Sequence, residues 1–132
     1  MRRLAAIILL LLAPDPHREA VEVLTGMAAA LSESNLAAFM KSIDPAMPGY
    51  EQLRTRVAAL LAQAEVVSSI EVVRDEGGDT RRALELDWLL QVRPYSDFAP
   101  LERRERTITC TIERRNNKWL VTALAPVDFF GP

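Results

Sequence analysis

The chain has 132 residues, 49% of them hydrophobic and 26% charged, with a formal net charge of -2. That length and balance fit one globular domain around one core. A slightly acidic chain gives no basis for nucleic-acid binding, which rests on a concentrated positive surface, and the lone cysteine, Cys110, excludes an intramolecular disulfide.

In chain order, Met1 to Ala13 comes first: Arg2 and Arg3, then an unbroken apolar run from Leu4 to Ala13. A charged start and a short apolar stretch are the marks of a secretory signal, and the run is shorter than the roughly 20 residues a bilayer span needs. The expectation is an exported protein, periplasmic or secreted, with no stable transmembrane span. Its cleavage site is not readable, because leucines precede Ala13 and Pro14 follows it. The alternative is an apolar N-terminal helix folded into the core. Residues 1–17 are assigned to this segment and a linker containing His17, and residues 18–132 to a single domain.

Three helices are expected next. Val21, Leu24, Ala28 and Leu31 fall at helical spacing, with Arg18, Glu19 and Glu22 on the other side. Ser32-Glu33-Ser34-Asn35 breaks that helix and offers caps for a shorter one containing Leu36, Phe39, Met40 and Ile43. The proline-containing stretch Asp44 to Gly49 ends it. A third helix runs from about Tyr50 to Ala64 and buries Leu53, Val57, Leu60 and Leu61.

Strands follow. Val66 to Arg74 is rich in valine, and paired glycines at Gly77 and Gly78 mark a hairpin turn. In Arg81 to Arg93, Leu84, Leu86, Trp88, Leu90 and Val92 alternate with mostly polar residues, the pattern of a half-buried strand. A longer loop from Pro94 to Glu102 holds Tyr95, Phe98 and Pro100. Arg104 to Arg114 repeats the alternation, with Ile108, Cys110 and Ile112 on one face. Arg103, Arg104, Arg106, Arg114 and Arg115 are read as a solvated, charged hairpin edge. Arg115-Asn116-Asn117-Lys118 makes the last turn, since asparagine tolerates positive φ, and the final strand is Lys118 to Val127. A two-residue loop, preferred on turn chemistry, puts Trp119, Val121 and Ala123 beside Ile108, Cys110 and Ile112 and leaves Leu120, Thr122 and Leu124 outside. A three-residue loop turns Leu120 and Leu124 inward instead. Helices followed by an antiparallel meander of at least four strands make an α+β fold with the helices on one face.

This order, the Gly49-Tyr50-Glu51-Gln52-Leu53 start of the third helix and the closing Asn117-Lys118-Trp119-Leu120-Val121 resemble the nuclear transport factor 2-like (SnoaL-like) superfamily, also described as a cystatin-like roll. The resemblance covers about Arg18 to Phe130. It implies a cone-shaped curled sheet around the helices with a pocket at its open end, used by members for dehydration, cyclisation, isomerisation, ligand binding or subunit assembly. One departure is that Asp44 to Gly49 is too short for the small strand many members carry there.

Chemistry is sparse. No Cys/His cluster, phosphate-binding glycine loop or nucleophile elbow is present, so neither a metal nor a cofactor is expected. Cys110 alternates with isoleucines and reads as a small buried hydrophobe. Three functions are carried forward. The first is an apolar pocket walled by Phe39, Trp88 and Trp119 that binds a small hydrophobic molecule. The second is an acid-base enzyme using Asp44 with Tyr50 or Tyr95. The third, compatible with the first, is a homodimer formed through the outer sheet face, with Leu124 within it. Binding ranks first, because the inward side of the Trp88 strand carries no ionisable group.

Overall fold

The computed structural model describes residues 15–132, so the expected export segment, Met1 to Ala13, lies outside the described residues. Helix α1, Pro16–Ser32, opens with Asp15 accepting the Arg18 N–H at 3.2 Å and with proline in its first turn. Both features are favoured at a helix start, and together they carry the helix two residues ahead of the expected domain boundary. His17 is therefore not in a linker: it sits in the first turn of α1, with Nδ1 bonded to the carboxylate of Asp75. Helix α2, Leu36–Lys41, is capped by Asn35, which accepts the Ala38 N–H at 3.0 Å. Helix α3, Tyr50–Gln63, follows Gly49, whose φ of 83° suits glycine. None of the helices among the described residues is long and apolar enough to cross a membrane.

Four strands follow, β1 Ala64–Gly77, β2 Arg81–Pro94, β3 Glu102–Arg115 and β4 Lys118–Ala125, in one antiparallel sheet ordered β1-β2-β3-β4. The first strand is longer at both ends than its valine-rich centre suggested. At the β1–β2 turn, Gly77 has φ of 145° and a side chain there would put Cβ 2.3 Å from the Arg81 carbonyl oxygen, so only glycine fits. The helices cover the inner face of the curled sheet, with α1 against β1. From β2 that face buries Leu84, Leu86, Trp88, Leu90 and Val92, as the alternation predicted.

The β3–β4 loop has two residues: Arg115 pairs with Lys118, and Asn116 and Asn117 have φ of 53° and 61°, the two positive values a type I′ turn requires. The turn expectation holds, but its consequence for the far half of β4 does not. Ile112 pairs with Val121 and Thr111 with Ala123, so Thr122 is an extra residue, a β-bulge that resets the alternation. Beyond it Leu124 is buried and Ala123 exposed, the reverse of the expected faces. Leu120, before the bulge, stays on the outer side, half-buried. The bulge sits beside a second unexpected feature, a single parallel bridge between Ile43 and Val121. The Val121 N–H donates to the Ser42 carbonyl at 2.8 Å and the Asp44 N–H to the Val121 carbonyl at 2.9 Å. Part of the β4 edge is thus covered by the segment joining α2 to α3.

Candidate functional site

The space enclosed by sheet and helices is occupied by the end of the chain. After β4, a short 3-10 turn, Val127–Phe130, carries Phe130 into the core with no exposed surface. Its ring meets Trp88 edge-on at a centroid distance of 4.8 Å and lies 5.9 Å from Phe39 and 5.1 Å from Phe129, within the range of favourable aromatic pairs. Arg104 fastens this plug, because one guanidinium nitrogen donates to the Phe129 carbonyl at 2.9 Å and to that of Gly131, while Glu102 accepts from Nε and Nη2 at 2.8 and 2.6 Å. Arg104 is therefore not part of a solvated edge; its side chain is only 18% exposed. Arg103, Arg106 and Arg115 also have acidic partners, in Glu105, Asp128 and the pair Asp44 and Glu113.

The three aromatic residues expected to wall a pocket are brought together on the inner side, as core. Phe39 and Trp88 are fully buried and Trp119 is 6% exposed. Trp88 donates from Nε1 to the Ser68 hydroxyl at 2.8 Å, and the Ser68 N–H in turn donates to the Ser32 hydroxyl at 2.8 Å, tying β2 and β1 to the end of α1. The Trp119 indole N–H is buried without an acceptor among the described residues. With Phe130 between them, Trp88 and Phe39 pack against protein where an open cavity had been expected.

The proposed acid-base groups are dispersed. Asp44 is 8% exposed; one carboxylate oxygen pairs with Arg115 and the other accepts the Ala46 N–H at 2.9 Å, an Asx turn that starts the Pro45 corner. Tyr50 opens α3 on a different concavity from the one Asp44 lines. Tyr95 lies past the other end of α3, its N–H bonded to Gln63, and α3 at about 1.5 Å per residue separates the two tyrosines by roughly 20 Å. No hydrogen bond joins Asp44 to either tyrosine among the described residues. Cys110 is 3% exposed, and burial pushes its thiol up to about 12, which keeps it protonated and unreactive. Among the described residues no group of three or more His, Cys, Asp or Glu side chains is arranged to hold a metal.

Among several open concavities with mixed linings, one is a groove of about 620 Å³ where α2, the start of α3 and the start of β4 meet; another, of about 440 Å³ and more apolar, lies between Leu60, Val92 and Pro94. The apolar side of the larger is Leu36 and Met40, one turn apart on α2, with Ile43 and, from the outer side of β4, Leu120. Lys41, Arg54 and Lys118 supply charge and Tyr50 a hydroxyl. Nothing in the sequence singled this site out. The i, i+4 pairs Leu36/Met40 and Tyr50/Arg54 were visible as shared helix faces, but the meeting of those faces with β4 depends on the Ile43–Val121 bridge.

No family model matches the chain, and no curated protein does. Solved structures with the same arrangement do exist. One is a nuclear transport factor 2-like protein of unknown function from Shewanella oneidensis MR-1, with 14% identity, 83% of this chain and 97% of that chain covered, and a TM-score of 0.65. Another is a candidate scytalone dehydratase from Novosphingobium aromaticivorans, with 9% identity, 82% and 80% covered, and a TM-score of 0.70. A third, from Nostoc punctiforme, is a protein of unknown function with a cystatin-like fold, with 16% identity, 82% and 86% covered, and a TM-score of 0.62. At such identities the likeness concerns backbone and topology, and together with the three helices on a curled four-stranded antiparallel sheet it establishes that this chain has the nuclear transport factor 2-like fold.

Proposed function

We infer that the protein is a non-catalytic binding module that takes a small, largely apolar molecule in the groove between α2, α3 and β4. The observation that carries this reading is the exchange of sites: Phe130 fills the interior that Phe39 and Trp88 would otherwise border, while Leu36, Met40 and Leu120 line an open groove. About 620 Å³ falls in the usual range for small-molecule sites. The test is fluorescence of the neutral probe N-phenyl-1-naphthylamine, with Ala37→Trp as the blocking variant, because Ala37 is exposed and lines the groove. Enhancement that the wild type gives and the variant loses supports the reading; enhancement unchanged in Ala37→Trp overturns it. The leader-like run Met1 to Ala13 supports an exported setting, and recovery of intact Met1-containing protein solely from the cytoplasm of an expressing bacterium would remove that support.

Assembly is a second reading, favoured by apolar residues on the outer sheet side. Val67 is 57% exposed on β1, Leu89 is its diagonal neighbour on β2, and Leu120 lies on β4. Leu124, counted there from the sequence, is turned inward and contributes nothing to such a face. A dimer that Val67→Lys or Leu120→Lys dissociates in sedimentation supports this reading. A monomer at concentrations well above micromolar excludes it.

A further inference from the structure

The groove carries a charge pattern that narrows the class of its occupant. Taking that groove as the binding site, as the proposed function does, we propose that the ligand is an amphipathic carboxylate, its apolar body on Leu36, Met40 and Leu120 and its carboxylate among Lys41, Arg54 and Lys118.

The three cations come from three separate elements, the last turn of α2, the second turn of α3 and the first residue of β4, and all three line one groove. No acidic side chain among the described residues lines it with them. This occurs in a chain with 18 acidic and 16 basic side chains, where carboxylates are in excess. Arg74, Arg82, Arg103, Arg104, Arg106 and Arg115 each have an acidic partner, while Arg18, Arg56, Arg81, Arg93 and Arg114 have none among the described residues, so a missing partner marks a site only where several such cations share one groove. Among the described residues Lys41, Arg54 and Lys118 have none. Of the two carboxylates three positions from a groove cation, Asp44 is held by Arg115 and the Ala46 N–H and lines the adjoining polar concavity. Glu51, next to Tyr50, is exposed and does not line the groove. A lysine in the last turn of a helix also complements the helix dipole, which accounts for Lys41 but for neither Arg54 nor Lys118.

Like charges gathered in one concavity repel one another, and a bound anion relieves that repulsion while pairing with each. The Tyr50 hydroxyl adds a neutral donor. A guanidinium and two ammonium groups suit a carboxylate, while the aliphatic floor requires that the rest of the ligand be apolar. The volume suits a small molecule.

The experiment compares decanoate with its neutral isostere decanamide, both below their aggregation limits, by amide chemical-shift titration of the full chain. Decanoate is expected to bind about tenfold or more tightly than decanamide, with the preference shrinking as salt rises through about 0.1 M, where screening reaches about 10 Å. In the triple variant Lys41→Gln, Arg54→Gln, Lys118→Gln the preference disappears and the two probes bind alike. These side chains are exposed, so the variant keeps the fold, and an unchanged amide spectrum verifies that. Equal affinities in the wild type, or a decanoate preference that survives the triple substitution, overturn the carboxylate inference and leave groove binding standing. If neither probe shifts groove residues and N-phenyl-1-naphthylamine also ignores Ala37→Trp, groove binding itself is wrong. A glutamate-rich peptide that binds where decanoate does not also overturns the inference, in favour of a protein partner.

Discussion

The two tryptophans show how similar residues on one sheet face come to differ in energetic weight. Trp88 is fully buried, edge-on to Phe130 and hydrogen-bonded to Ser68; Trp119 is nearly as buried but its N–H has no acceptor among the described residues. Replacing Trp88 with alanine should cost about 3 to 5 kcal/mol in urea denaturation. Trp88→Phe should cost about 1 kcal/mol more than Trp119→Phe, since only the former breaks a made hydrogen bond; equal costs would mean that the Ser68 contact adds nothing. Cys110 gives a pH-dependent case. Below about 9 its thiol is protonated whether folded or not; above that the unfolded chain ionises while burial holds the folded thiol near 12. Stability should therefore fall as pH rises from about 9 toward 12. At lower pH, a disulfide reagent should modify Cys110 only at the rate at which the protein opens.

At the scale of elements, the last hairpin decides the most with the fewest residues. Asn116 and Asn117 set a two-residue loop that the sequence made legible through their tolerance of positive φ. The Thr122 bulge was not legible: no residue type marks it, and it arises where the Ser42 to Asp44 segment bonds Val121. Its effect is testable, because Leu124→Lys now places an ammonium in the core. That variant should lose several kcal/mol of stability or fail to fold, whereas Leu120→Lys, outside the bulge, should stay within about 1 kcal/mol of wild type. Near-wild-type stability for Leu124→Lys would restore an unbulged β4. His17 is a smaller instance: the Asp15 cap and the pairing with Asp75 draw it into α1, and the second of these contacts spans 58 positions and leaves no local trace.

For the whole molecule the governing feature is the C-terminal plug. Burying Phe130 contributes about 1.5 to 3 kcal/mol, and the same ring removes the interior volume in which a ligand of Trp88 and Phe39 would lie. Phe130→Ala should cost about 3 to 5 kcal/mol and leave a dry cavity. In that variant a small neutral probe such as benzene should bind near Trp88 and quench or shift its fluorescence, which it should not do in the wild type. Wild-type binding of benzene at Trp88 would mean that the plug opens freely. Arg104→Gln, which removes the guanidinium grip on Phe129 and Gly131, should move the protein part of the way toward the same behaviour.

Periodicity, caps and turn residues determined the α+β class and the helices ahead of the strands, and periodicity alone the inward set on β2, because each depends on residues close together in sequence. The turn type of the last hairpin belongs with them, being a property of two adjacent residues. Which groups make a site was decided only by tertiary structure. Asp44 was eligible for chemistry until Arg115, 71 positions later, paired with it. Arg104 was one cation in an edge cluster until the C-terminal carbonyls closed on it. Lys41, Arg54 and Lys118 were ordinary surface residues until chain reversals set them around one groove. Such long-range juxtapositions follow from how whole faces pack, and local spacing carries no record of them.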